Sequence, residues 1–196
     1  MKTNIRNISG NWDKGFALDK HSLGSVFIGN DEYGHPRFDT TRTEVGEATY
    51  QLKYRSDWNK IEPLAQSIVD TILPHFSDIG FVVPAPATTQ RARQPVHEIA
   101  KTIATKIKVP YFEQMLVKLP SDGGAVSLKN LVTKEEKTAS LNGRLRLEKT
   151  ITNDGCWNVL VVDDLFDTGA TLEAVCEQLR SYDKVGKIFV ATLTWK

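Results

Sequence analysis

The sequence predicts an α/β protein with a central, mainly parallel sheet flanked by helices, and three observations carry that expectation. Residues 61–72 and 96–107 each repeat apolar side chains at offsets 0, 3, 4, 7, 8 and 11, the stripe of a helix with one buried face. Residues 79–83 and 158–163 read as short buried strands, the second built around the apolar run 159–162. These strands and helices alternate along the chain. Alternation implies parallel neighbours, with ligands at the carboxyl ends of the strands.

The elements follow in order. Residues 1–50 are rich in Gly, Asn, Asp and Thr and carry Trp12, Phe16, Phe27, Tyr33 and Phe38 without helical period. Strands at 25–29 and 37–41 flank the turn-forming residues 30–36, a long hairpin, so 1–50 reads as a β-rich N-terminal unit and 51–196 as the main domain. The first helix spans 58–73, with Asp57 as its cap and Pro74 near its end. Strand 79–83 stops at the rigid turn Pro84, Ala85, Pro86, Ala87, and the second helix follows. Residues 111–119 read as a strand leading into a polar connection to about residue 142, a length that marks a functional or moving segment. Strand 158–163, helix 171–182 and strand 187–194 close the chain.

Composition removes several classes. The chain has 196 residues, 40% hydrophobic and 25% charged, which suits one globular domain. Its longest apolar runs, such as 159–162, are far too short for a membrane helix or a secretory signal, so a cytoplasmic location is expected. Cys156 and Cys176 form no C-x-x-C pair, and the histidines are scattered at 21, 35, 75 and 97, so no structural zinc site is written. His97 begins a His-Glu pair, but Lys101 breaks the zinc-protease spacing. The net charge of +1 hides an asymmetry, with regional values of −2 over 1–85, +6 over 86–150 and −3 over 151–196. Neither P-loop nor dinucleotide fingerprint occurs.

The informative segment is 159–172. Four apolar residues lead into the acid pair Asp163 and Asp164, and a short loop carries Asp167, Thr168 and Gly169 to the start of a helix at Ala170 and Thr171. Unpaired N–H groups and the dipole of that helix start, with the two threonine hydroxyls, suit an anion. Gly169 lets the backbone approach it closely. Acids for hydroxyl groups beside a site for phosphate describe a sugar phosphate.

This segment closely resembles the 5-phosphoribosyl-1-pyrophosphate (PRPP) motif of type I phosphoribosyltransferases, which implies that fold, with the N-terminal region as a small β-rich hood. By the resemblance, Asp163 and Asp164 hold the ribose hydroxyls and help place Mg2+, the loop 167–171 holds the 5-phosphate, and Pro84, Ala85, Pro86, Ala87 and Arg91 form the diphosphate loop. A narrower resemblance, to the competence-associated ComF-like members, rests on the order of Leu52-Lys53-Tyr54, Val83-Pro84-Ala85-Pro86, Arg91 with Gln94, the segment 133–137 and the PRPP motif. The chain departs from that pattern three times. The four-cysteine zinc module is absent, Gly-Phe-Asn-Gln is reduced to Ala92-Arg93-Gln94, and Asp167 stands where ComF-like chains commonly carry Thr and many purine-salvage enzymes carry Asp.

The implied reaction is displacement of pyrophosphate from C1 of PRPP by a nitrogen acceptor, such as a nucleobase, with Asp167 as general base. Capping of the following helix is the other role open to Asp167. Arg91, Arg93 and, on the long connection, Lys129, Lys134 and Lys137 supply cations for the diphosphate. Trp12, Phe27, Tyr33 and Trp195 are the aromatic candidates for stacking on an acceptor. Two alternatives stand beside the enzyme: a PRPP-sensing regulator without chemistry, and a ComF-like accessory protein in DNA uptake. Near-zero net charge and the lack of a nucleic-acid motif disfavour autonomous DNA binding. A homodimer is among the expected assemblies, and a membrane partner is not.

Overall fold

A computed structural model describes residues 1–87, 89, 91–119 and 144–196. Its main sheet contains β1 (Arg6–Asn7), β2 (Lys14–Lys20), β5 (Phe81–Pro84), β8 (Trp157–Phe166) and β9 (Val185–Trp195) in the order β1-β2-β9-β8-β5. All neighbours are parallel except β1, which pairs antiparallel with β2 at one edge. At the other edge Tyr111 bridges to Val82 in parallel register. The helices are α1 (Glu44–Arg55), α2 (Ile61–Thr71), α3 (Pro95–Ile107) and α4 (Ala170–Arg180).

Side chains alternate across a strand, so β8 feeds two cores. Leu160 and Val162 face α1, α2 and α3 together with Leu18, Val82, Phe189 and Ala191. Val159 and Val161 face α4 with Ala17, Phe81, Val83, Ile188 and Val190. Both sheet faces are therefore covered, which is why β8 contains the unbroken apolar run 159–162. Cross-strand pairing continues beyond that run: Asp163 lies opposite Thr192 and Leu165 opposite Thr194. The acid pair is thus built into the end of a central strand.

Outside the main sheet, β3 (Ser22–Asn30) and β4 (Pro36–Arg42) form the expected hairpin. Leu23, Val26, Phe27, Ile28 and Phe38 on it are exposed, and Phe27 and Phe38 pair across the strands at 5.8 Å. A second ribbon, β6 (Leu116–Lys118) with β7 (Leu145–Leu147), lies over the α4 face.

Several features differ from the sequence reading. β2 is a strand of the main sheet, with Ala17 and Leu18 fully buried, and residue 50 lies inside α1 rather than at a junction. Helix α1 carries a polar sequence whose buried face is only Val45, Gly46, Ala48, Thr49 and Leu52, too sparse for a periodic signal; the Thr43 hydroxyl caps it by accepting from the Gly46 N–H. The strand expected at 111–119 is broken, because Tyr111 belongs to the sheet edge and only Leu116–Lys118 forms a ribbon. The helix expected over 58–73 is α2 with single 3-10 turns at Trp58–Lys60 and Leu73–His75, and Asp57 does cap its start by accepting from the Asn59 N–H. Among the described residues, no helix is long and apolar enough to cross a membrane.

Candidate functional site

The carboxyl ends of β5 and β8 meet the amino end of α4, and a cavity of about 470 Å³ opens between them. Asp163 and Asp164 line it from β8. The Asp163 carboxylate accepts the backbone N–H of Asp164 at 2.8 Å, which fixes one side chain against the next peptide. Burial, and then the neighbouring Asp164 charge, push the Asp163 carboxyl up to about 7. Asp164 is balanced differently: the Lys53 ammonium, from the last turn of α1, donates to its carboxylate. Burial alone would lower the Lys53 pKa, but the Asp164 charge and hydrogen bond outweigh it and hold the ammonium above its ordinary value. Behind the pair, the Thr194 hydroxyl donates to the Asp164 carbonyl at 2.9 Å, and His21 Nδ1 lies 3.2 Å from that hydroxyl. Burial and then Arg42 keep His21 below its usual pKa, so it adds little positive charge.

Across the cavity the chain turns into α4 at Gly169, whose φ of 81° is left-handed. A Cβ there would lie 3.1 Å from the Phe166 ring, so both conformation and space favour glycine. Gly169 is the N-cap and no side chain caps the helix; Asp167 is exposed and does not hold the capping position. The Thr168 hydroxyl lies 3.5 Å from the Ala170 N–H, the outer limit of a hydrogen bond. This helix start faces the cavity through Asp167, Thr168, Gly169, Ala170 and Thr171.

The third wall follows β5. The Ala85 N–H donates to the Val162 carbonyl at 2.8 Å, extending the strand ladder beyond Pro84. Ala85, Pro86, Ala87 and Arg91 then line the cavity, whereas Pro84 is buried in the strand. The Arg91 guanidinium donates to the Lys53 carbonyl at 3.0 Å, tying this loop to α1.

Every residue expected from the PRPP-like segment thus reaches one cavity. Other candidates do not. Arg93 turns outward, 3.0 Å from Glu98 and 4.2 Å above the Trp58 ring, and His97 bonds Glu113 at 3.1 Å on the helix surface. Trp12 is core: its indole N–H donates to the Ile8 carbonyl and its ring meets Phe166 edge-on at 6.2 Å. Phe27 and Tyr33 stand on the exposed hairpin, and Trp195 lies under the Arg6 guanidinium at 4.1 Å. Lys129, Lys134 and Lys137 lie outside the described residues. Sequence reasoning assigned no role to Lys53, Tyr54 or Lys196, which also line the cavity. For Lys53 the only signal was its place in the Leu52-Lys53-Tyr54 run.

Among the described residues, no three metal-ligating side chains cluster. The acid pair nevertheless fits magnesium, a hard cation held by one or two carboxylates together with water and substrate oxygens. Burial raises Asp163 most and the Asp164 charge adds to it, and a divalent cation would offset both.

No protein-family model matches the chain. A search of curated proteins also returned no match. Solved structures do match. Adenine phosphoribosyltransferase from Trypanosoma brucei, in complex with AMP, pyrophosphate and ribose-5-phosphate, aligns over 100% of this chain and 76% of its own, at 14% identity and a TM-score of 0.51. The enzyme from Leishmania tarentolae aligns over 98% and 95%, at 8% identity and a TM-score of 0.49. UMP synthase from Leishmania donovani aligns over 85% of this chain at 16% identity and a TM-score of 0.40, and the chain spans 28% of that protein's length. The full-length match to the T. brucei enzyme and the parallel sheet between helices define the class: this chain has the type I phosphoribosyltransferase fold.

Proposed function

We propose that this protein binds PRPP with magnesium and transfers ribose 5-phosphate to a nitrogen acceptor, releasing pyrophosphate. One observation carries the reading: the acid pair, the Gly169 helix start and the 85–87 loop with Arg91 line a single cavity at the carboxyl end of the sheet. Three chemically distinct walls match the three parts of PRPP, namely ribose hydroxyls, 5-phosphate and diphosphate. The location is also the one the topology favours for ligands.

Asp163 and Asp164 would accept hydrogen bonds from the ribose hydroxyls and would hold the metal, which when bound neutralises charge on the diphosphate. N–H groups at the α4 start and the Thr168 and Thr171 hydroxyls bind the 5-phosphate. Arg91 sits beside the diphosphate. During transfer the C1–O bond to diphosphate breaks with its electron pair leaving on oxygen, the acceptor nitrogen lone pair forms the new C1–N bond, and the nitrogen proton passes to a base. Asp167, exposed at the cavity wall, is the candidate for that proton. Among the acceptors, a nucleobase is favoured by Asp at position 167, the residue many purine-salvage enzymes carry.

The test is pyrophosphate release from PRPP across a panel of nucleobases and small amines. Release with one acceptor class supports the enzyme. Tight PRPP binding with no release for any acceptor would instead favour a PRPP-sensing regulator.

A further inference from the structure

The cation already resting on the acid pair is the chain's own. Asp164 carries the Lys53 ammonium, with side-chain exposures of only 15% and 27%. Lys53 is held from both ends: its side chain on the end of β8, and its carbonyl on Arg91 of the loop that follows β5. The carboxylates facing it are Asp164 and Asp163, with the Tyr54 side chain beside them. Lys53 also lines the cavity, so its flexible side chain has room to move the ammonium.

We infer that Lys53 is a substrate-binding residue that occupies the cation place on Asp164 in the ligand-free protein and is exchanged onto the diphosphate when PRPP arrives with its metal. This deepens the proposed function and rests on it. The argument is one of charge. Two adjacent carboxylates with one ammonium leave at most a single unbalanced negative charge, a poor site for a divalent ion alone because binding must compete with Lys53. Substrate carrying its own metal changes the balance, because diphosphate oxygens offer the displaced ammonium a new partner in the same cavity. The expected order follows: weak binding of free divalent cation, and strong joint binding of metal and diphosphate. Arg91 couples the exchange to the diphosphate loop, since it grips the backbone of the residue whose side chain moves.

The experiment uses the full chain and the variants Lys53→Met and Lys53→Arg, with Mn2+ alone, magnesium pyrophosphate and magnesium PRPP as probes in calorimetry, and Mn2+ binding checked by electron paramagnetic resonance. Removing a competing cation should tighten Mn2+ binding by about tenfold in Lys53→Met and weaken pyrophosphate binding by about tenfold, while Lys53→Arg stays near the parent on both. A merely structural lysine would give the opposite sign for Mn2+, since loosening the acid pair weakens a metal site. Unchanged or weaker Mn2+ binding in folded Lys53→Met overturns the inference. Should that variant not fold, the wild-type Lys53 ammonium resonance decides: a shift on saturation with magnesium pyrophosphate supports the exchange, and an unmoved signal contradicts it. Failure of the underlying reading looks different. In that case PRPP does not bind the parent protein, yet Lys53→Met still tightens Mn2+.

Discussion

Lys53 and Asp164, 111 residues apart in sequence, form an ion pair that joins the last turn of α1 to the carboxyl end of β8. Because Arg91 holds the Lys53 carbonyl, the helix, the central strand and the loop after β5 converge on one lysine. The acid pair therefore sits in a frame assembled from three distant parts of the chain, and the walls of the cavity around it offer separate tests.

Arg91 lines the cavity wall proposed for the diphosphate. Arg91→Ala should weaken binding of PRPP and pyrophosphate by roughly ten- to a hundredfold, the range for losing a charge-assisted contact, and leave ribose 5-phosphate affinity nearly unchanged. Parallel calorimetric titrations of the three ligands check this. Equal loss for ribose 5-phosphate would mean that Arg91 acts only by supporting α1.

Gly169 is set by backbone conformation. Gly169→Ala must place a Cβ at φ 81° and 3.1 Å from the Phe166 ring, so the fold should lose about 1–2 kcal/mol. Ribose 5-phosphate should bind more weakly in the same variant, because the α4 start has to shift. Denaturant melts and calorimetry measure the two effects.

Asp163 predicts a pH dependence. Its carboxyl is raised from 3.8 to about 7 in the fold, so the folded protein binds that proton more tightly than the unfolded chain does. The contribution of this group to stability is therefore complete below the unfolded value and is lost as pH rises through 3.8 toward 7. Asp163→Asn should remove that slope and raise stability near neutral pH by on the order of 2 kcal/mol. PRPP binding to the wild type runs the other way, strengthening as Asp163 ionises. Melting curves and binding isotherms over the same pH series separate the two trends.

The site was legible in sequence where chemistry and periodicity coincide. In 159–172 the apolar run, the acids and the glycine turn are local neighbours, so their order already describes a strand, a ligand edge and a helix start. The hairpin β3/β4 was readable for the same reason. Lys53 was not, because its partner is remote and α1 buries a stripe too thin to register as a helix. β2 was hidden by its ends: Ala17 and Leu18 are buried, but Lys14, Asp19 and Lys20 surround them with charge. Its place in the main sheet comes from pairing with β9, a contact no local pattern encodes. Arg93 misled because its charge, close to Arg91 in sequence, is spent on Glu98 and Trp58.

The most direct measurement is calorimetric titration of PRPP with magnesium into the wild type and into the double variant Asp163→Asn, Asp164→Asn, with circular dichroism confirming the fold. The account predicts saturable one-to-one binding to the wild type and none to the folded variant. Equal affinity in both, or no binding to the wild type, would contradict it.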